Sequence, residues 1–287
     1  MTEIADAAHA LAQCQLAMTE EQLREDLAAA FRLAARENLH EGIANHFSVM
    51  LPDSEHFLLN PFGLAFEEVT ASSLIVLDLN GEVVRGNALS STASAAARNI
   101  HAPMHRHLPH ARAIFHTHQP YSTALTMVDD GRLEFALQAT CRFFGRVAYD
   151  TDYSGVALDE DTAMRVVRTV GAAEVLFLGN HGVVTIAPTI AQAWDDLYFV
   201  ERAAMTQVHA MATGHPLRLL SEHIISQTTT QAAYERFVLG YIAKHFASGK
   251  RLLDRDGADY KLYAHLWLGA RENTAGLSAP PAIDDEL

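Results

Sequence analysis

His116-Thr117-His118 closes the short apolar run Ala111-Arg112-Ala113-Ile114-Phe115, and His181 lies in Leu178-Gly179-Asn180-His181-Gly182, directly after another apolar run. Side chains alternate along a strand, so His116 and His118 project from one face. A third imidazole from a neighbouring segment completes a cap that holds a divalent transition metal and leaves positions open for water or substrate. Zn, Fe(II) and Mn all accept neutral imidazole nitrogen at about 2.0–2.2 Å, so the ligand set leaves the metal's identity open. The competing reading is three separate core histidines, each hydrogen-bonded to backbone. Abundance selects none of them, because the chain has 16 histidines. Placement at strand ends does.

Several elements must position these side chains. Thr19-Glu20-Glu21-Gln22 is a capping arrangement that opens an amphipathic helix to about Asn38. Phe47–Leu51 and Phe57–Asn60 read as a hairpin around Pro52-Asp53, and Pro61-Phe62-Gly63 as a turn. Leu74–Asp78 and Glu82–Arg85 form a second hairpin through Asn80-Gly81. Thr92–His107 is Ala-rich and helical, Ala113–His118 a strand, and Pro120 starts a helix to about Val128. Strands are expected at Val147–Tyr149, Val175–Leu178 and Val183–Ile186, with a helix at Thr162–Val170. A long helix follows from Thr189 to Ala212, stopped by Gly214 and Pro216, and a further helix spans about Gln231–Ala247. The expected organisation is a flexible N-terminal arm over 1–18, an α/β domain over 19–215, a C-terminal helical extension over 216–275 packing on it, and a disordered tail over 276–287.

Composition narrows the function. A net charge of −14 over 287 residues argues against nucleic acid and against anionic membrane surfaces. No apolar run approaches membrane-spanning length. Cys14 and Cys141 cannot build a disulfide framework, and Met1–Asp6 lacks the basic and apolar regions of a signal peptide. A cytoplasmic location and a small-molecule partner are the resulting expectations.

Gly42–Val49, Leu59-Asn60-Pro61-Phe62-Gly63, Ile100-His101, Pro109–His118, Leu178–Gly182 and Trp194–Ala204 follow one another in an order that resembles the class II aldolase/adducin family over about Thr19–Gly214. The resemblance implies a three-layer α/β/α sandwich with a largely antiparallel central sheet, in a homotetramer with active sites at subunit interfaces. It implies His116, His118 and His181 as metal ligands, and Asn45, Asn60 and Gly63 around the substrate's anionic or carbonyl end. In any protein, however, Asn60–Gly63 would form a turn. Tyr121 and His46 are candidate proton donors beside the site. Each has a rival role, Tyr121 as a core aromatic at a helix start and His46 as a polar residue opening a strand.

One departure matters. The family's sugar-phosphate aldolases resemble one another in a Ser-Ser-Glu shortly before the helix histidine that corresponds to His101. Counting back without gaps gives Ala95-Ala96-Ala97 here, and sliding to Ser90-Ser91-Thr92 restores hydroxyls but no carboxylate. A phosphorylated substrate would lack its donors, and enolisation would lack its base. Glu41, Glu67 and Glu68 are nearby acids that the sequence leaves unranked. The expected activity is therefore metal-dependent cleavage of a C–C bond, by retro-aldol reaction or decarboxylation, in a non-phosphorylated oxo- or hydroxy-carboxylate. Two alternatives accompany it: a non-haem Fe(II) dioxygenase acting on an arylpyruvate-like 2-oxo acid at the same histidines, and a non-enzymatic adducin-like interaction module.

Overall fold

Short runs of alternating apolar residues build the sheet that carries the histidines. The computed structural model describes residues 2–86, 92–153, 155 and 160–261. The strands are β1 (His46–Met50), β2 (His56–Leu59), β3 (Ile75–Asp78), β4 (Val83–Arg85), β5 (Ala113–Thr117), β6 (Val147–Asp150), β7 (Val175–Leu178) and β8 (Gly182–Ala187). They form one sheet in the order β4-β3-β2-β1-β5-β8-β7-β6, in which β6 and β7 are parallel and the other neighbours antiparallel. The helices are α1 (Thr2–Leu16), α2 (Glu20–Arg36), α3 (Ala95–His107), α4 (Pro120–Thr126), α5 (Glu160–Val170), α6 (Ile190–Met211), α7 (Glu222–Ala233) and α8 (Tyr241–Arg255).

The period-two pattern sorts side chains into two buried layers. On β1 and β5, Phe47, Val49, Ala113 and Phe115 join Phe31 of α2 and Trp194, Leu197 and Val200 of α6. Phe47 and Phe115 are register partners whose rings stack with centroids 4.0 Å apart, a pairing worth about 0.5–1.5 kcal/mol beyond its area. On the other face, Ile114, Val184 and Ile186 pack with Ile100 and Met104 of α3 and Val166 and Val170 of α5. The three-layer α/β/α sandwich with a mostly antiparallel sheet is as expected. Its consequence for the site is direct: the register that pairs Phe47 with Phe115 also pairs His46 with His116, turned to the α3 face.

One sequence expectation gains structure and another gives way. Within the arm expected over 1–18, Thr2–Leu16 is helix α1, and buried Gln15 anchors its end. Gln15 Nε2 donates to the Pro188 carbonyl at 3.1 Å, and its Oε1 accepts the Ile190 N–H at 2.6 Å. The helix expected over Gln231–Ala247 is broken. A π-helical turn follows α7 at Tyr234–Val238, and Gly240, at φ 67°, then redirects the chain into α8. Glycine adopts that backbone without a Cβ clash. The tail expected over 276–287 lies outside the described residues. Among the described residues no helix is long and apolar enough to cross a membrane.

Candidate metal centre

His116 and His118 sit at the end of β5, two residues apart and on one face; β7 and β8 bring His181 to them. The hairpin between those strands is shaped locally. Leu178 pairs with Gly182, the His181 N–H donates to the Leu178 carbonyl at 3.1 Å, and Asn180 takes a left-handed backbone at φ 54°. Asparagine tolerates that conformation better than most residues. Gly182 is a packing requirement. A Cβ there would lie 2.5 Å from the Thr117 carbonyl oxygen, 2.9 Å from His118 Cδ2 and 3.4 Å from His116 Cε1. Gly182→Ala is therefore expected to cost about 1–3 kcal/mol in urea denaturation, since strand backbone rather than a flexible side chain must move.

The three imidazoles offer one nitrogen each, all within 4.8 Å of one another. Hydrogen bonds on their far sides set which nitrogen faces inward. His116 Nδ1 lies 3.1 Å from the Val183 carbonyl, and His118 Nδ1 lies 2.6 Å from Glu41 Oε2. Carbonyl and carboxylate oxygens only accept, so both Nδ1 atoms carry a proton and Nε2 is the nitrogen each ring can offer to a metal. The two Nε2 atoms lie 3.1 Å apart. Two bare nitrogens at that distance repel unless a cation lies between them; tetrahedral zinc with Zn–N near 2.0–2.1 Å sets its nitrogens roughly 3.3 Å apart. Burial, reinforced by the neighbouring imidazoles, pushes His116 well below the usual histidine range and His181 down to about 4. All of this fits a divalent metal bound by neutral imidazoles.

Glu41 is the carboxylate the sequence leaves unranked. It acts from behind His118, while His40 takes Glu67 at 3.5 Å and Glu68 caps the Ala65 N–H at 2.9 Å. A carboxylate behind a ligating imidazole fixes its tautomer and raises its basicity. Glu41→Gln is expected to weaken metal binding about tenfold in chelator competition. Ala97 meanwhile is buried in an apolar cluster with Met50, Phe57, Leu59 and Ala102, where a carboxylate would be costly to ionise.

The remaining residues named from sequence divide. His46 stands beside the triad, its ring centroid 4.9 Å from that of His116. Asn45 Oδ1 accepts the Glu41 N–H at 2.7 Å and the His118 N–H at 3.3 Å, leaving its buried Nδ2 without a partner among the described residues. Asn60 is spent on framework: its Oδ1 accepts the Phe47 N–H and its Nδ2 donates to the Asn45 carbonyl, both at 3.3 Å. Gly63 turns the chain at φ 96°. Tyr121 packs against the core and His209 of α6, and its N–H donates to Glu201 Oε1 at 2.8 Å. Its described contacts are with α6 rather than with the imidazoles. Sequence reasoning missed Ser48 and His105, which line up behind His46 and His101; the available signal was His46-x-Ser48 on one strand face and His101-x-x-x-His105 on one helix face.

An eight-stranded, mostly antiparallel sheet between helical layers, with three histidines at converging strand ends, defines an α/β protein with a metal-sized centre among its described residues. The family model described as class II aldolase and adducin N-terminal domain matches residues 25–208, and the chain belongs to that family. An aldolase II superfamily protein from Pseudomonas syringae superposes with a TM-score of 0.80 at 34% identity, covering 86% of this chain and 97% of that one. The L-fuculose 1-phosphate aldolase of Glaciozyma antarctica gives 0.71 at 28% identity, covering 82% and 91%. An adducin-related protein of Schizosaccharomyces pombe is 30% identical over 262 residues, 86% of this chain and 79% of that one.

Proposed function

We propose that this chain is a metal-dependent lyase that cleaves a C–C bond of a non-phosphorylated oxo- or hydroxy-carboxylate. The observation that carries the reading is the convergence of one nitrogen each from His116, His118 and His181 within 4.8 Å, with Nδ1 of His116 and His118 engaged from behind. These histidines would hold Zn, Fe(II) or Mn, which supplies Lewis-acid stabilisation of the negative charge that develops when the bond breaks. Glu41 holds His118 in its ligating tautomer. Asn45 Nδ2 is free to donate to the substrate's carboxylate, and His46 lies beside the triad to exchange a hydrogen bond or proton with it. The Ala95-Ala96-Ala97 run offers no hydroxyl to a phosphate, which supports a non-phosphorylated substrate.

The test is anaerobic turnover of a panel of 2-oxo and 2-hydroxy acids by protein loaded with each metal. Product formation that a chelator abolishes supports the lyase. Turnover only with Fe(II) and dioxygen would replace it with an oxygenase on the same residues. Inactivity across the panel with every metal would favour a binding module, the reading that the adducin-related relative brings to mind; retention of all three ligands speaks for catalysis.

A further inference from the structure

Behind the metal-ligating imidazoles lies a second row of buried groups that the metal does not need. His46 and Ser48 of β1 face α3, which contributes His101 and His105 one turn apart. His46 Nδ1 lies 2.7 Å from His101 Nε2, and His101 Nδ1 lies 2.5 Å from Ser48 Oγ. Ser48 Oγ lies 2.7 Å from His105 Nε2, and His105 Nδ1 lies 2.6 Å from the Ala111 carbonyl. All four side chains are buried.

The carbonyl at the far end orients the whole row. It can only accept, so His105 Nδ1 carries a proton. Burial disfavours a charged imidazole, and the hydrogen bonds of this row bring no carboxylate to any of its three rings, so each ring carries a single proton. His105 Nε2 is then a lone pair and takes the one hydroxyl proton of Ser48. Ser48 Oγ must accept from His101 Nδ1–H, which leaves His101 Nε2 bare and requires a proton on His46 Nδ1. Passed along four hydrogen bonds, the constraint ends at His46 Nε2, an acceptor beside the ligand imidazoles.

We propose that Ser48, His101 and His105 are positioning residues that lock His46 in its Nδ1–H tautomer, and that His46 Nε2 accepts a hydrogen bond from a substrate hydroxyl. The second half rests on the lyase reading and narrows it to hydroxy acids: a hydroxyl satisfies the acceptor, whereas the oxygen of a 2-oxo group brings another lone pair. Leaving a buried acceptor unpaired is the costly outcome.

The test uses full-length, zinc-loaded protein with ¹⁵N-labelled imidazoles. Long-range ¹H–¹⁵N correlation, assigned with single-histidine variants, is expected to show His46, His101 and His105 protonated at Nδ1 and bare at Nε2. A His46 protonated at Nε2 overturns the inference, whatever the protein turns over. Ser48→Ala should redistribute the protons of His46 and His101 between their ring nitrogens, and Ser48→Thr, which keeps the hydroxyl, should retain the wild-type pattern. An unchanged pattern in Ser48→Ala would remove Ser48 from the lock. In titrations, lactate is expected to bind about tenfold more tightly than pyruvate, with the ratio falling towards one in Ser48→Ala. Equal binding of the two acids by wild-type protein overturns the hydroxyl assignment. Binding of neither acid, with the tautomer as expected, would overturn the hydroxyl assignment while upholding the lock, and the lyase reading then stands or falls on turnover of the acid panel.

Discussion

His116→Ala is expected to lose metal affinity by at least about a hundredfold, beyond what removing an outer-shell partner costs, and to lose metal-dependent turnover with it. His116 contributes one of the three converging nitrogens and is the buried member of the triad. Two protein nitrogens, of His118 and His181, then remain where a catalytic metal site uses three. The fold should survive, because the aromatic stack of Phe47 and Phe115 lies on the opposite face of the sheet. Competition with a calibrated chelator measures the affinity, and circular dichroism checks the fold. Wild-type affinity in a folded His116→Ala protein would remove these histidines from any metal role.

The second large effect is on stability. Asp196 of α6 is buried and accepts from Arg146 Nη2 at 2.5 Å and from Arg236 Nη2 at 2.7 Å. Burial opposes its ionisation, but the two guanidinium groups outweigh that and hold Asp196 below the usual carboxylate range. Neighbouring Asp195 pairs with Arg142 and accepts from His245 Nδ1 at 2.9 Å, so α6 is tied to α8 and to the segment that precedes β6. Asp196→Ala would leave Arg146 and Arg236 deprived of their shared anion. Breaking one side of a buried ion pair costs about 3–5 kcal/mol, and that loss is expected in urea or guanidinium unfolding. A loss below about 1 kcal/mol, typical of exposed pairs, would show that the arginines find other partners or water.

Local patterns carried much of this molecule. The alternation around Phe47 and Phe115 marks strands, Thr19 to Gln22 marks a helix start, and Asn80-Gly81 marks a hairpin; each is decided within a few residues. The three histidines were legible for the same reason, since strand periodicity puts two of them on one face and a second strand end delivers the third. What escaped depends on distant docking. Ser48 meets His101 and His105 only after α3 lies across β1, 53 and 57 positions along the chain. Gln15 finds the Pro188 carbonyl 173 positions away, so nothing local distinguishes α1 from an arm. Glu41 could not be ranked above Glu67 or Glu68 until the turn held by Asn45 set it behind His118. Gly240 carries no proline beside it, and its role as a helix break became visible only in its left-handed backbone.

The central claim is that His116, His118 and His181 bind a divalent metal. Elemental analysis of protein purified with neither added metal nor chelator tests it most directly. About one zinc, iron or manganese ion per chain is expected, falling to background in His116→Ala. Absence of stoichiometric metal in the wild-type protein, together with failure to take up any of the three ions on titration, would contradict it.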